Sequence, residues 1–416
     1  MTSFRWQGQM LIGAAGLVFG LSGYAADAQP ARGGLAQALE QVWRLDPQAV
    51  ALDAREAEAR ANQDVAASLT PEPGSVSIGS RNDRLNRNLG KQEYEVELAT
   101  PLWLPGQKAA REAEAASRID EASAKRVALR SELAGELRDA WWALAAARNA
   151  KALAARRLDT ARALEADVRR RYKVGELSRI DANLAQTEVH AAGAELIETE
   201  ATLLQAEQTL RTLTGTIAPQ DMTEEGPTQQ RTTGGTLAIP EAHPLLVAAA
   251  AAARSARARV TVVDESRRAA PELSLRVVRE RGDFAEPYAN TVGIRLKIPL
   301  SSGAQVRRET SAAQAEANQA DAEMLRAQTR VQLEAERAQR ALASAERQLS
   351  MAQERRELST ENLRLSEKAF SLGESDLATL LRIRAAAFDA ESFLGRQRVA
   401  RAAAISRLNQ ALGVLP

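Results

Sequence analysis

The chain has 416 residues, and its 55 basic and 54 acidic residues give a formal net charge of +1, so no whole-chain field recruits nucleic acid or an anionic surface. Ala, Glu, Arg, Leu and Gln dominate while aromatic residues make up only 4%, which favours long helices packed through small side chains over an ordinary globular enzyme. The sequence contains no cysteine, which excludes disulfides, thiolate metal sites and a lipid-acceptor thiol.

The N-terminal segment has the pattern of a secretory signal peptide. Arg5 precedes an apolar run over residues 10–21, and small residues follow in GYAADAQP. The run is shorter than the ~20 apolar residues that a membrane-spanning helix needs, and no second run of spanning length follows. We therefore predict a cleaved signal peptide over residues 1–28 and an exported mature chain.

Structure-breaking residues recur along the mature chain at a constant offset of 198 positions. The four pairs are Pro73 with Pro271, Pro101 with Pro299, Gly175 with Gly373, and Gly215 with Gly413. A fixed offset of this kind indicates two copies of one unit. We assign the first repeat to residues 29–225 and the second to residues 244–416, joined by a Gly/Pro/Thr-rich linker over residues 226–243.

Each repeat contains the same predicted elements in the same order. A helix of moderate length, at about 35–68 in the first copy and 244–266 in the second, precedes two strands, a very long helix, a break at glycine and another helix. The first long helix, over residues 107–170, would measure roughly 95 Å at ~1.5 Å per residue, so it belongs to an elongated body. The second long helix has a 4,3,4,3 spacing that predicts a left-handed coiled coil. This seam consists of Val331, Ala335, Ala338, Leu342, Ala345, Leu349 and Ala352.

Four short segments are predicted to be strands, at about residues 75–81, 91–101, 272–281 and 290–300. Glu93, Glu95 and Glu97 alternate with Tyr94, Val96 and Leu98, and Arg295 and Lys297 alternate with Val292, Ile294, Leu296 and Ile298. Because successive strand side chains point to opposite faces, the charges share one face and the apolar groups share the other. The first strand of each copy is one residue out of phase with its equivalent.

A sheet that covers a layer of helices and faces solvent would show the same alternation. The elongated helices leave no globular core for such a sheet to cover, which favours barrel strands with the apolar face towards lipid. Glu93, Glu95, Glu97, Arg295 and Lys297 would then line a wet lumen. The turns at residues 82–90 and 282–289 would be outer-surface loops.

Four strands cannot close a barrel, because known membrane barrels begin at about eight strands. Three copies would supply about twelve strands and would also close the helical tube below them. The predicted fold class is therefore mainly α with a small β part. Two tandem repeats give long antiparallel coiled-coil helices plus four strands per chain, closing as a trimeric twelve-strand β-barrel on an α-helical tunnel.

The stretches RYKVGELSRIDANLAQTEV at residues 171–189 and AFSLGESDLATLLRI at residues 369–383 share an aromatic-x-x-Gly-Glu break. Glycine supplies the backbone freedom for a chain reversal, so each long helix folds back at the far end of the tube. One interpretation treats both breaks as helix-hairpin turns and nothing more. The other treats the apolar residues beside the glycines as a docking surface for another helical hairpin.

The repeat, the strand pairs, TPLWLPGQ leading into a long helix, and the two hairpin sequences together resemble the TolC-like outer-membrane factor family over the whole mature chain. LWLPGQK is similar in particular to the branch associated with cation and heavy-metal efflux. The resemblance implies a homotrimeric barrel in the Gram-negative outer membrane and an α-helical tunnel through the periplasm. It also implies two protein partners: a periplasmic adaptor (membrane fusion protein) and an inner-membrane pump, commonly of the resistance-nodulation-division type.

Members of this family dock adaptor tips at their hairpin turns. By position, the docking residues here are Val174, Gly175, Glu176 and Leu177 in the first repeat and Leu372, Gly373, Glu374 and Ser375 in the second. Glu374 and Ser375 depart from the family's apolar pattern. The acidic ring that narrows the entrance in the best-known members falls on Thr379 and Arg382 here, so that gate does not transfer. Asp181 and Asp376 are the nearby acidic alternatives for a constriction.

Motifs that carry chemistry are few. His190 and His243 lack metal-ligand spacing, and we place His190 on a helix surface and His243 at the end of the linker. The sequence has no Gly-rich phosphate loop, no G-x-S-x-G and no isolated carboxylate pair, so we predict no catalytic residue, metal or cofactor. The run of three arginines over residues 169–171 favours a solvated helix end over a contact with an acidic adaptor. Of the adjacent tryptophans Trp141 and Trp142, we predict that one packs its ring into the helical wall.

The sequence thus predicts a non-enzymatic outer-membrane conduit for drug or heavy-metal export. One alternative is a secreted trimeric coiled-coil adhesin, although such a protein would gather its strands at the C-terminus, whereas these strands occur twice in mid-chain. A second alternative is a soluble structural coiled coil, which would be extracted without detergent. The cargo leaves no motif, because a wide solvated channel needs no specific pocket.

Overall fold

The computed structural model describes residues 34–416 apart from positions 87, 229–231, 234–235, 238 and 301, so the predicted signal peptide over residues 1–28 lies outside the described residues. The helices are α1 (Leu35–Leu45), α2 (Pro47–Ala66), α3 (Gln107–Lys173), α4 (Arg179–Thr214), α5 (Pro244–Glu265), α6 (Gly303–Ser371) and α7 (Leu377–Ala411). The strands are β1 (Ser75–Asn82), β2 (Gln92–Pro101), β3 (Thr232–Thr233), β4 (Thr236–Leu237), β5 (Glu272–Arg281) and β6 (Ala289–Lys297).

The four long helices contact one another in the order α4, α3, α7, α6. α3 and α4 form the first hairpin, α6 and α7 form the second, and α3 packs against α7 where the hairpins meet. α3 has 67 residues and α6 has 69, so each is about 100 Å long. The coiled-coil positions predicted on α6 are confirmed, since Val331, Ala335, Leu342, Ala345 and Ala352 are buried.

The prediction of one helix over residues 35–68 is wrong, because two helices meet at Asp46. Pro47 has no backbone N–H to continue the α1 hydrogen-bond ladder, and its fixed φ suits the first position of a new helix. The carboxylate of Asp46 accepts hydrogen bonds from the backbone N–H groups of Gln48 and Ala49, each at 2.9 Å. Asp46 therefore caps α2 and separates it from α1.

Both tryptophans of α3 are buried, which corrects the prediction that only one ring packs into the wall. Trp141 is 0% exposed and Trp142 is 8% exposed. Adjacent residues on a helix point about 100° apart, so both are buried only where neighbours surround the helix. α3 contacts α1, α2, α4, α5 and α7, and this middle section is the largest core of the chain.

The first residues of the predicted linker are hydrogen-bonded to the C-terminal helix, α7. Asn409 of α7 accepts a hydrogen bond from the backbone N–H of Thr228 at 3.1 Å and donates one to the carbonyl of Gly226 at 3.0 Å. Beside these contacts, the guanidinium of Arg138 lies 2.6 Å from the carboxylate of Glu225, and Arg138 is only 2% exposed. A buried ion pair with further hydrogen bonds holds this junction in one arrangement.

His243, at the end of the linker, is buried and caps α5. Its Nδ1 accepts a hydrogen bond from the backbone N–H of Leu245 at 3.3 Å. Burial lowers the pKa of His243 below its ordinary value, because charge is disfavoured away from water. A protonated imidazole would also lose the lone pair that accepts this hydrogen bond.

We therefore expect stability to fall as pH decreases from the unfolded pKa of about 6.5 towards the lower folded pKa, since only the unfolded chain binds the proton in that window. Above that window both states hold a neutral imidazole and His243 contributes no pH dependence. His243→Asn keeps a helix cap and should remove the dependence. Thermal unfolding midpoints of both proteins across the window check this, and an equal loss in the two proteins would contradict it.

Candidate functional site

One face of the four-stranded sheet is apolar and exposed. The strand order is β1-β2-β5-β6, and every neighbouring pair is antiparallel. Ile78, Val96, Val277 and Val292 are aligned across the four strands and are 82%, 49%, 43% and 67% exposed. The described part of the chain therefore leaves a continuous apolar face uncovered.

The opposite face brings the predicted lumen residues together as ion pairs. The pairs are Arg276 with Glu93 and Glu95, Arg295 with Glu97, and Lys297 with Glu272, at N–O distances of 3.5, 2.6, 3.3 and 3.8 Å. The side chain of Glu93 is only 14% exposed. A water-soluble sheet covers its apolar face. This sheet leaves its apolar face exposed and pairs the charges of the other face with one another, which is the pattern of a lipid-facing sheet.

The register of the second β-hairpin differs by one residue from that of the first. Leu98 pairs with Val76, whereas Leu296, its equivalent 198 positions later, pairs with Leu273 and not with Ser274. Because side chains alternate with period two, this difference returns the apolar residues of β5 to the same face as those of β1. It accounts for the phase difference between the first strands of the two repeats.

The first hairpin turn is fixed by caps on both sides. Gly175 has a φ of 85°, in the left-handed region that favours glycine. The backbone N–H of Glu176 donates to the carbonyl of Arg171 at 3.0 Å, which closes the end of α3. At the start of α4, the Asp181 carboxylate accepts a hydrogen bond from the backbone N–H of Ser178 at 2.9 Å, and the Ser178 hydroxyl accepts one from the backbone N–H of Asp181 at 3.2 Å.

The second turn has the same design with different residues. Gly373 has a φ of 77°, and the backbone N–H of Glu374 donates to the carbonyl of Ala369 at 2.9 Å. Asp376 caps α7 by accepting a hydrogen bond from the backbone N–H of Thr379 at 2.7 Å. Hydrogen bonds from Thr379 lower the pKa of the Asp376 carboxyl, so it stays ionised.

Exposed apolar side chains stand at both turns. Val174 is 71% exposed and Leu372 is 62% exposed, and a Cβ added to Gly175 or Gly373 would meet no atom within 4 Å. Leu177 differs, because it packs against the cluster that joins the two hairpins. Among the other predicted docking residues, Glu176 and Glu374 are exposed and Ser375 is half-buried.

The four residues predicted for a constriction lie just beyond the turns. Asp181 begins α4, whereas Asp376, Thr379 and Arg382 lie at the start of α7. The two carboxylates are occupied as helix caps, and Arg382 is exposed. One chain thus presents an exposed cation and two capped carboxylates near its tips.

Sequence reasoning missed a set of exposed positions on α4, here called the α4 seam. They follow a 3,4,3,4 spacing and all are exposed: Ile180, Asn183, Thr187, His190, Ala194, Ile197, Ala201 and Leu204. Ile180 and Ile197 are each 70% exposed. The face of α4 with Ala185 and Ala192 packs within the chain, whereas the α4 seam is a second periodic face that the described part of the chain leaves uncovered.

A comparable set lies on α6, here called the α6 seam. Its members are Met351, Arg355, Leu358, Asn362, Leu365, Ala369 and Leu372. The four large apolar residues recur every seven positions, which was the available sequence signal, and they are 67%, 69%, 50% and 62% exposed. α4 and α6 are the two flanks of the layer of long helices, so both seams lie where one chain supplies no neighbour.

No helix in the described ranges is both long and apolar enough to cross a membrane. Within those ranges, no three or more His, Cys, Asp or Glu side chains are grouped to hold a metal ion. His190 lies exposed on α4, as predicted.

The family model described as outer membrane efflux protein matches residues 35–216. This range runs from α1 through α4, and α5 to α7 with β5 and β6 repeat the same order of elements. A search of curated proteins finds no match to the sequence.

Solved structures share the fold over nearly the whole described chain. CusC, whose structures concern transmembrane channel formation, superposes with a TM-score of 0.76 at 14% identity over 91% of this chain and 92% of that chain. VceC from Vibrio cholerae gives 0.73 at 15% identity, with 91% and 96% covered. The outer-membrane channel OprN gives 0.72 at 20% identity, with 91% and 89% covered. The predicted fold of the single chain is thereby confirmed.

Proposed function

We infer that this chain, as a TolC-like outer-membrane factor, is the outer-membrane channel of a tripartite efflux system. The observation that carries this function is the sheet with an exposed apolar face opposite a face of ion-paired charges, joined to helices about 100 Å long. Such a channel is a passive conduit. Its wet tube lowers the cost of moving polar cargo past lipid, and the pump supplies the energy.

The sheet is the part of the protein that we propose to lie in the outer membrane. β2 and β5 have 10 residues each, and tilted strands of this length span an apolar band about 25 Å tall. The helical tunnel extends into the periplasm. The adhesin alternative is not favoured, because β2 of the first repeat pairs directly with β5 of the second, which joins the strands of both repeats in one sheet.

The assembly that we propose is a homotrimer. One chain supplies four barrel strands, so three copies reach about twelve and pass the minimum for closure. In a head-to-tail ring, the α4 flank of each copy meets the α6 flank of the next. The chain presents two different packing faces on its two flanks, which is what such a ring requires.

The two seams also agree in register when the hairpin tips are level. Ile197 lies 22 positions after Gly175, and Met351 lies 22 positions before Gly373. The chain runs away from the first tip in α4 and towards the second tip in α6, so both residues lie at the same distance from the tips. These two exposed apolar residues would therefore face each other across the contact between copies. The α4 and α6 seams are therefore complementary surfaces of one interface.

The two hairpin tips are the surface that we propose for a periplasmic adaptor. Val174 and Leu372 are exposed there, and Gly175 and Gly373 leave open space for an approaching helix end. The inner-membrane pump, which we propose to be of the resistance-nodulation-division type, would connect through the adaptor. LWLPGQK resembles the cation-efflux branch, and on that resemblance we propose metal ions or drugs as the cargo, with protein export as the alternative.

Opening would come from a shift of the second hairpin against the first at the tips. The hairpins meet there through one small cluster, which includes Val168, Phe370 and Leu380, and through the guanidinium of Arg171 at 5.3 Å from the Phe370 ring. An adaptor that binds the shifted arrangement better would favour the open state. In this proposal Asp181, Asp376, Thr379 and Arg382 line the entrance.

The tip surface is tested with Val174→Asp. The Val174 side chain is exposed and lies outside both seams, so we expect an intact trimer with unchanged conductance but at least tenfold weaker binding to the immobilised adaptor, because a carboxylate replaces an apolar contact. Ala166→Asp adds the same charge at an exposed position of α3 away from the turn, so it is the matched control and should bind normally. Normal binding by the Val174→Asp variant would place the adaptor elsewhere.

A further inference from the structure

A cavity of about 230 Å³ lies where the two hairpins meet. α3, α4, α6 and α7 all contribute to its wall. Its apolar floor consists of Leu153, Leu164, Leu363, Leu381 and Phe388. Leu164, Leu363 and Leu381 also belong to the cluster that joins the tips, so the cavity borders the contact that would change during opening.

The rim of the cavity carries four arginines and two glutamates. They are Arg156, Arg157, Arg356 and Arg384 with Glu188 and Glu391. Arg156 pairs with Glu391 at 3.1 Å, and Arg157 pairs with Glu188 at 2.9 Å and with Glu195 at 2.6 Å. Arg356 and Arg384 have no carboxylate partner on the rim.

These two arginines keep donors available to a ligand. Arg384 pairs through Nη2 with Glu367 at 2.7 Å, but its Nε is buried without a hydrogen-bond partner. Arg356 is exposed and makes no ion pair within the described part of the chain. A buried donor without a partner is costly, and a ligand oxygen at Arg384 Nε would remove that cost. The wall thus combines an apolar floor with one buried donor that lacks an acceptor and one exposed guanidinium.

We propose that this cavity binds a small amphipathic organic anion. Its carboxylate would accept hydrogen bonds from Arg384 Nε and the Arg356 guanidinium, and its apolar body would cover Leu164 of α3 together with Leu363 and Leu381 of the second hairpin. The volume suits a two-ring aromatic acid. Such a ligand touches both hairpins, so its binding favours their packed arrangement over a separated one. This regulatory consequence rests on the proposed function, whereas the binding does not.

The probe is 2-naphthoate, titrated by calorimetry into the full chain purified in detergent. We expect saturable binding at least tenfold tighter than that of 2-naphthylmethanol, which has the same rings and no charge. Arg356→Gln should weaken 2-naphthoate binding about tenfold, because a charge-assisted hydrogen bond is lost. Arg347→Gln, an exposed change on the opposite face of α6, is the matched control and should bind as the unmodified chain does. Leu363→Trp should fill the cavity and abolish binding.

Equal affinity for the acid and the alcohol, or equal affinity of the Arg356→Gln and Arg347→Gln variants, would overturn the anion site. Hydrogen exchange tests the link between the hairpins: saturating 2-naphthoate should slow amide exchange at residues 171–178 and 369–376. Unchanged exchange despite binding would overturn the regulatory consequence. A chain that binds 2-naphthoate in this way but never conducts ions would count against the channel and not against the site.

Discussion

Met351→Glu should convert the assembled trimer into separate chains in detergent. Met351 is 67% exposed in one chain, so its replacement does not disturb the fold of that chain. In the proposed ring it faces Ile197 of the next copy, where a lone carboxylate would be removed from water. The expected cost is about 3–5 kcal/mol at each contact, enough to weaken each by more than about a hundredfold. Light scattering of the purified protein measures the oligomer, and circular dichroism should show unchanged helicity.

Two further variants separate this expectation from simple surface damage. Gln353→Glu adds the same charge at an exposed position of α6 outside the seam and should remain trimeric. Ile197→Lys should dissociate the trimer by itself, but the double variant with Met351→Glu should recover part of it, because opposite charges then face each other across every contact. A stable trimer of Met351→Glu alone would show that α4 and α6 do not meet between copies.

Ile78→Arg should prevent stable insertion into the outer membrane. Ile78 is 82% exposed on the apolar face of the sheet, and an arginine near the middle of a lipid-facing strand costs about 2–4 kcal/mol per chain. A barrel built from three copies would carry this cost three times. The measurement is the amount of protein in the outer-membrane fraction, together with its resistance to extraction by urea.

Ser77→Arg is the matched control, because Ser77 precedes Ile78 in β1 and belongs to the opposite face, paired with Glu97. An arginine there joins the ion pairs of the lumen face and should be tolerated. If the sheet instead faced water on both sides, Ile78→Arg would be as harmless as any change at an exposed position. Equal membrane levels for the two variants would therefore contradict the lipid-facing assignment.

Much of the single-chain fold follows from local patterns in the sequence. Period-two alternation located the four long strands to within a few residues, and Pro299 accounts for the end of β6 at Lys297, since proline cannot donate to a strand ladder. The two tips were predictable because only glycine readily adopts the positive φ found at Gly175 and Gly373. The break between α1 and α2 at Asp46, which the prediction missed, also has a local signal in the sequence: a capping residue directly before a proline.

Long-range features were harder to predict. Alternation gives the phase of a strand but not the register of its partner, so the one-residue difference between the two β-hairpins could not be read from the repeat offset. The seam on α4 contains Asn183, Thr187 and His190 among its apolar members, which hides its periodicity. The cavity between the hairpins depends on how α3 meets α7, and Arg157 and Phe388 come within 4.9 Å there although they lie far apart in sequence.

The central claim is that several copies of this chain enclose a water column through lipid, and conductance in a planar bilayer tests it most directly. The detergent-extracted trimer, added from one side, should give stepwise current increases, each from one inserted channel. The Met351→Glu monomer should give none at the same protein concentration. A lone chain that is the complete functional unit, or a pure trimer that inserts without carrying current, would contradict the account.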